Sequence, residues 1–391
     1  MSADRRPASP GGRPLASALP PAKLEEWMRQ YYFDVEIDIG SSGVEEYSMR
    51  DLRAILDLDA AIDAIVFRDS VTAGSAPLRE AVAARFGLGD AQRVFITHGS
   101  SEAIFVTVHA LLEPGDTIIA LDPCYQQLES IAAGLGCTVR RWRLRPENAF
   151  RPDFDDLRRL LTPGVRAVIV NFPHNPTGAT ITAEEQAELI RCCESGGSHL
   201  VWDGAFAELA YDTTVLPDPA ARWEGAISFG TLSKAYGLPG LRVGWCTAPK
   251  AIVDRFLRIR DYTTLHLSPL VELIAQRAVE EGDRLVQPRL AQARRHREAL
   301  AAWAGALDST WERPPGGVCS LVNLGIGDTT AFCHAFCEAE RTLIVAGDCF
   351  GQPEHVRIGY GKSAFPSGLA RLSEFHDKWR AGAQRSMVSH V

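Results

Sequence analysis

Four things are missing from this chain of 391 residues, and each absence excludes a class. Its apolar strings, such as Ala167–Val170 and Thr117–Leu121, fall far short of the ~18–20 residues that a membrane helix needs. They have the length of buried strands. An excess of basic charge is also missing. Lys and Arg number 41 against 49 Asp and Glu, a net charge of −8, so nucleic acid is not expected as a partner. The nine cysteines are odd in number and scattered, with no C-x-x-C pair, which excludes a disulfide framework or a zinc site. Cys333 and Cys337 stand four apart and read as small buried residues on one helix face. Finally, residues 1–20 lack the apolar core of a secretory leader. They are rich in Pro, Gly, Ala and Ser, so a flexible tail and a cytoplasmic protein are expected.

What is present is an ordinary globular balance, 46% hydrophobic and 23% charged. Leu24, Trp27 and Met28 recur at helical spacing, and VEIDIGSSG then reads as a short strand broken by Gly40 and Gly43. From about residue 74, apolar strands alternate with amphipathic helices. Strands are expected at Val94–Thr97, Thr117–Leu121, Ala167–Asn171, His199–Asp203, Ala226–Gly230 and Val243–Ala248. The spacing suits parallel βα units. Thr182-Ala183-Glu184-Glu185 is a capping box, with a stop at Gly196-Gly197. The Arg/Ala-rich stretch from about 275 reads as a helix broken near Pro288. The last ~80 residues mix short strands (Val318–Leu324, His355–Gly359) with helices. The fold class is therefore α/β: a three-layer αβα domain with a mostly parallel sheet, plus a small α+β domain. The limits are 1–20 for the tail, 21–65 for an N-terminal segment packing with the small domain, 66–275 for the large domain and 276–391 for the small one.

Four stretches that follow expected strands carry the chemistry: HGSSEAI (98–104), NFPHNPTG (171–178), WDGAF (202–206) and FGTLSKAYGLPGLRVGW (229–245). Ligands of open α/β sheets collect beyond the carboxyl ends of strands. In the last stretch, Thr231, Ser233 and Arg242 surround Lys234 with hydroxyls and a guanidinium suited to a phosphate. Glycines 237, 240 and 244 let the backbone bend close to a ligand. Amine and phosphate pocket together suggest a lysine Schiff base with pyridoxal phosphate (PLP). Taken singly, Asn175 reads as a turn residue, Tyr125 as core and Arg357 as a surface ion pair. Asp203 at the end of an apolar strand needs a partner even alone.

With this order of motifs, and Asp203 placed 31 residues before Lys234, residues 35–375 resemble the fold-type-I PLP enzymes of the class I/II aminotransferase branch. The resemblance implies that Lys234 holds the cofactor and shuttles protons at Cα. Asp203 pairs with the ring nitrogen. Asn175 bonds the ring hydroxyl oxygen, and Tyr125 of DPCY stacks on the ring. Ser100, Ser101, Thr231, Ser233 and Arg242 bind the phosphate. Arg357 of HVRIG binds the substrate carboxylate. No metal is implied. The partners implied are a small amino-acid substrate and a second copy, as a homodimer with shared sites.

Two positions depart from that family. The Tyr usual three residues after the aspartate is Phe206, and the Tyr usual five residues before G-x-x-x-L-R, which reaches the partner subunit's phosphate, is Asp69. A carboxylate is a poor phosphate ligand but suits a cationic substrate. A narrower resemblance fits these departures. SSGVEEYS, THGSSEA, RWRLRPENAF, VNFPHNPTGA, WDGAF, SFGTLSKAYGLPGLRVGWC and RIRDYTTLHLSPLVE look like the capreomycidine synthases and their relatives in streptolidine formation. That implies loss of water from a β-hydroxylated arginine and closure of the guanidine onto Cβ, in antibiotic biosynthesis. Asp69 is the first candidate for the guanidinium, ahead of Glu45, Glu46, Glu208 and Asp348. His174 stays without a role. The alternatives are a plain aminotransferase and a ligand-sensing regulator. The regulator would need a DNA-binding domain, for which the ~35 residues before the motifs are too few and too rich in Pro and Gly.

Overall fold

The structure, a computed structural model, describes residues 18–307 and 311–388. Residues 1–17 of the expected tail lie outside the described residues. The described strands are β1 (Ile37–Asp38), β2 (Val94–Thr97), β3 (Thr117–Asp122), β4 (Thr138–Arg143), β5 (Val165–Asn171), β6 (His199–Asp203), β7 (Ala226–Thr231), β8 (Gly244–Thr247), β9 (Cys319–Asn323), β10 (Thr342–Leu343), β11 (Val345–Ala346) and β12 (His355–Gly359). Seven of them form one sheet in the order β2-β8-β7-β6-β5-β3-β4. Neighbours from β7 to β4 run parallel. β8 runs antiparallel to both β7 and β2. The reason is local. Between β7 and β8 the chain makes only a 3-10 turn at Pro239–Leu241, without the long crossover that a parallel neighbour requires.

Alternation along the strands feeds two cores. Val168, Val170, Leu200 and Trp202 point into one buried cluster. Ala167, Ile169, Val201 and Phe229 point into the other. Covered faces explain why the parallel strands read as continuous apolar runs. Emptying one such position, for example Trp202→Ala, costs ~3–5 kcal/mol. The sheet ends at β4, whose TVRRWR sequence escaped the search for apolar strings. Only Trp142 of β4 is fully buried, and the exposed arginines on this edge oppose pairing with another chain.

A second sheet of order β11-β12-β9 is antiparallel, and β1 pairs with β10 in parallel. Helix 183–196 carries the expected capping box: Thr182 Oγ1 accepts from Glu185 N at 3.1 Å, and Glu185 Oε2 accepts from Thr182 N at 2.7 Å. Gly197 ends it at φ 66°. The break expected near Pro288 is not there. Helices Pro269–Glu280 and Gly282–Leu307 meet at Glu281, and Pro288 lies inside the second. Pro288 sits on an exposed face, so the carbonyl that loses its amide partner can be hydrated. Among the described residues no helix is long and apolar enough to cross a membrane, all nine cysteines are free thiols, and no group of His, Cys, Asp and Glu is arranged to hold a metal ion.

Candidate active site

The carboxyl ends of β5, β6 and β7 open into a cavity of about 350 Å³. The register sets Asn171 beside Asp203. Asn171 Nδ2 donates to the Asp203 carbonyl at 2.8 Å, and its Oδ1 accepts from Asn175 N at 2.7 Å. One amide thus fixes the aspartate strand against the NPTG turn. The buried Asp203 carboxylate accepts from Ala205 N at 2.9 Å. Burial pushes its pKa up to about 6, against the opposing pull of that amide and of Lys234.

Lys234 reaches the same space from the loop after β7 and donates to Ser42 Oγ at 3.0 Å. Burial and the charge of Arg357 pull its pKa down to about 8, while Cys319, Asp203 and Glu25 oppose the fall. Such an amine gives up its proton far more readily than a surface lysine and suits imine formation. Phe206 is buried beside it, with its ring centroid 5.9 Å from Lys234 Nζ.

A cradle of small groups closes the other side. Ser100 and Ser101 lie in the first turn of helix Gly99–Leu111, where free amides and the helix dipole favour an anion. Arg242 holds a left-handed backbone at φ 54°, and its Nη1 donates to the Pro239 carbonyl at 2.9 Å. Gly99 has φ +76°, and a Cβ there would stand 2.5 Å from Arg242 Nη2. Only glycine lets the backbone pass the guanidinium that closely. Ser233 lines the cavity. Thr231 does not: its hydroxyl is spent on Ser233 Oγ at 3.0 Å and the Val243 carbonyl at 3.1 Å, so it positions Ser233 from behind.

Arg357 enters from β12 and is only 1% exposed. Its Nε and Nη2 donate to the Gly40 carbonyl at 3.2 and 2.8 Å, and Nη1 donates to Asn175 Oδ1 at 3.2 Å. Both acceptors are neutral. Among the described residues no carboxylate pairs with this buried cation, which is costly until an anion arrives. The same contact occupies Asn175 Oδ1 and leaves its amide donors for a ligand.

The structure thus gathers Ser100, Ser101, Tyr125, Asn175, Asp203, Ser233, Lys234, Arg242 and Arg357 around one cavity. Asp69 is not among them. Its side chain is 97% exposed and lies 3.1 Å from His266 Nε2, away from the cavity. Glu208 pairs with Arg85, Asp348 with Lys23 at 2.9 Å and Glu46 with Lys362. His174 is a structural residue. Buried, with its pKa lowered to about 4, it donates from Nε2 to the Pro123 carbonyl at 2.9 Å, which leaves Nδ1 to accept from Thr177 Oγ1 at 2.8 Å.

Sequence reading missed Ser42, Asn171, Lys362 and Glu25, all in the lining. Glu25 sits on helix Lys23–Tyr31 and accepts from Tyr125 Oη at 2.9 Å. Its signal was present in the helical spacing of Leu24, Trp27 and Met28, but nothing local pointed that helix at the site. The donor set fits PLP: an amine for an imine, a buried carboxylate for a ring nitrogen, and hydroxyls with a guanidinium for a phosphate.

Comparison with known proteins agrees with this chemistry. The family described as aminotransferase class I and II matches residues 63–364. Capreomycidine synthase of Streptomyces vinaceus is 44% identical over 368 residues, covering 91% of this chain and 94% of that protein. Arginine–pyruvate transaminase of Pseudomonas aeruginosa is 28% identical over 329 residues, 79% of this chain and 82% of that one. The crystal structure of the PLP-dependent cyclase OrfR superposes with a TM-score of 0.87 at 42% identity, over 95% of this chain and all of that one.

Proposed function

The chain belongs to the class I and II aminotransferase family and is a PLP-dependent enzyme of the cyclase or lyase kind; from that premise we propose that it removes water from a β-hydroxylated L-arginine and closes the guanidine onto Cβ. The product would be capreomycidine or a hydroxylated analogue, made for an antibiotic. The observation that carries the reading is the stronger similarity, nearly end to end, to a capreomycidine synthase and a cyclase than to the arginine transaminase.

PLP held by Lys234 supplies an electron sink for charge that develops at Cα. The residues do the rest. Arg357 pairs with the α-carboxylate through its planar fork. Lys234 takes the Cα proton and later returns one. Asp203 keeps the proton on the ring nitrogen, Asn175 donates to the ring hydroxyl oxygen and Tyr125 covers the ring face. Ser100, Ser101, Ser233 and Arg242 hold the phosphate, with Thr231 behind them. Phe206 offers no phenol to the ring oxygen, which leaves Asn175 as its donor. Loss of the β-hydroxyl as water leaves a Cα=Cβ bond. A guanidine nitrogen adds to Cβ, its proton is released, and Cα is reprotonated. Substrate therefore equals product plus water, with no amino group transferred. Because the attack is intramolecular, positioning supplies much of the rate.

A homodimer belongs to this reading. Val66, Phe67, Val71, Tyr262 and Leu265 are exposed, and the Asp69–His266 contact holds the two segments side by side. An apolar group of this kind supports a subunit interface. In such a dimer Asp69 would face the neighbouring subunit's site.

The test is incubation of the holoenzyme with 3-hydroxy-L-arginine in deuterated water, followed by mass and NMR analysis. A cyclic guanidino amino acid with its amino group retained and deuterium at Cα is expected, with no need for a keto acid. Stoichiometric keto acid with consumption of α-ketoglutarate would overturn the reading in favour of an aminotransferase.

A further inference from the structure

Glu25 differs from the other carboxylates around the cavity. Among the described residues only Glu46 and Asp203 share the lining with it, and Glu46 has Lys362. Asp203 is buried at the floor and accepts from Ala205 N, and both it and Glu25 act on Lys234 through space, without a hydrogen bond to it. Glu25 is partly buried among Leu24, Met28 and Tyr32, and its one hydrogen-bond partner is the Tyr125 hydroxyl at 2.9 Å. Among the described residues no Lys, Arg or His pairs with it. Across the same cavity, Arg357 is a buried cation with no carboxylate. One cavity thus presents two unpaired charges of opposite sign. Each is costly to hold alone, and a single ligand anionic at one end and cationic at the other satisfies both.

The carrier of Glu25 is well fixed. Lys23 N donates to Gln126 Oε1 at 3.0 Å, beside Tyr125, and Trp27 Nε1 donates to the Ile344 carbonyl at 2.8 Å, beside the small sheet. Helix Lys23–Tyr31 is therefore pinned on both sides of the cavity, and the carboxylate is presented without a large ordering cost. We infer that Glu25 receives the guanidinium of the substrate and sets the preference for a cationic side chain. This rests on the cyclase reading above. A carboxylate matches the guanidinium fork with two parallel hydrogen bonds. Its contact with Tyr125 also keeps the anchor near the reacting end of the molecule, as closure of a six-membered ring requires.

The experiment is a titration of the holoenzyme, followed by its visible absorption and by calorimetry. The ligands are L-arginine, which lacks a leaving group, and L-citrulline, its neutral isostere. The parent should bind arginine more tightly. Glu25→Gln retains the shape and an acceptor for Tyr125. It should weaken arginine about 10- to 100-fold and leave citrulline within about threefold, so that the preference collapses. Glu25→Asp should restore part of it. Circular dichroism and melting temperature should be unchanged in both variants. A Glu25→Gln enzyme that keeps its preference would overturn the inference. So would loss of the preference in Asp69→Asn alone, which would assign the guanidinium to the neighbouring subunit's carboxylate. If the parent showed no preference for arginine, the proposed substrate class would fail first, and the role of Glu25 with it.

Discussion

Asp203→Asn should make the cofactor-free protein more stable and the holoenzyme nearly inactive. The carboxylate is buried, and its pKa rises from the ordinary 3.8 to about 6. A rise of that size corresponds to about 3 kcal/mol. The sign follows from linkage. A carboxyl group whose folded pKa lies above its unfolded value disfavours folding when ionised. The cost is complete above pH ~6 and gone below pH ~4. Asparagine keeps the shape and the acceptor for Ala205 N but never ionises. Lys234 loses an attractive neighbour in the exchange, which trims the expected gain at pH 8 to about 2 kcal/mol. Urea titration of both proteins from pH 4 to 8, at one fixed protomer concentration, reads this directly. The parent should lose stability relative to the variant as the pH climbs from about 4 to about 6, and the two should converge near pH 4. With PLP bound the order reverses in function, because a neutral amide cannot hold the proton on the ring nitrogen. Turnover should fall by about two orders of magnitude or more. A variant no more stable than the parent at pH 8, with the same pH slope, would refute the argument that burial is the cause of the shift.

Three further outcomes follow from named contacts. Capture of PLP by the cofactor-free protein should quicken as the pH rises and level off near 8, because about a quarter of Lys234 is unprotonated at pH 7.5 when its pKa is about 8, against about one in a thousand at 10.5. In Arg357→Gln the plateau should move to higher pH, since the second cause of the shift is gone. The same variant should bind arginine about 10²–10³-fold more weakly in a spectral titration while its urea stability stays within ~1 kcal/mol, because an unpaired buried cation is removed from the folded state. Gly99→Ala should weaken PLP about tenfold or more by equilibrium dialysis, since the new Cβ strains a residue at φ +76° and displaces the Arg242 guanidinium.

The parts of this molecule that were legible in the sequence are those whose signal is local. His199–Asp203 is an apolar run that ends in a carboxylate, and the strand ends there. The Thr182 box needs four residues and forms as read. Lys234, Asp203 and Asn175 sit in motifs whose order along the chain is itself informative, and the cavity contains all three. The parts that were not legible depend on distant segments. β8 is apolar like its neighbours, and only the shortness of the connection before it decides that it runs backwards. Asp69 was read from its offset to Gly74, but an offset along the chain does not say whether the side chain reaches this cavity, and it does not line it. Glu25 and Ser42 lie 209 and 192 positions before Lys234, and no periodicity relates positions so far apart. Thr231 shows the opposite failure. It belongs to the right motif, yet its hydroxyl is consumed in holding Ser233.

These cases share a physical cause, and it bears on how a transaminase scaffold comes to close rings. The motif residues handle the cofactor, so they follow one another along strand ends. In the proposed reaction, the residues that would select a substrate come from outside that frame: Arg357 from the small sheet and Glu25 from the N-terminal helix. A substrate stretched between two distant charges would be held straight, with its guanidine kept away from Cβ. Anchoring the guanidinium at the rim would therefore favour binding and oppose cyclisation. Glu25 avoids that conflict because Tyr125, which is to lie over the cofactor ring, ties the carboxylate to the reacting centre. The free energy of pairing is then spent on bending the side chain toward Cβ, where orientation lowers the barrier. Phe206 contributes by omission: it is a buried apolar ring beside Lys234 that would leave the cofactor's ring oxygen with Asn175 as its donor. On this account the change of reaction needs no new catalytic group. It needs the inherited lysine, one phenol removed, and a carboxylate brought in on the segment that sequence motifs do not cover.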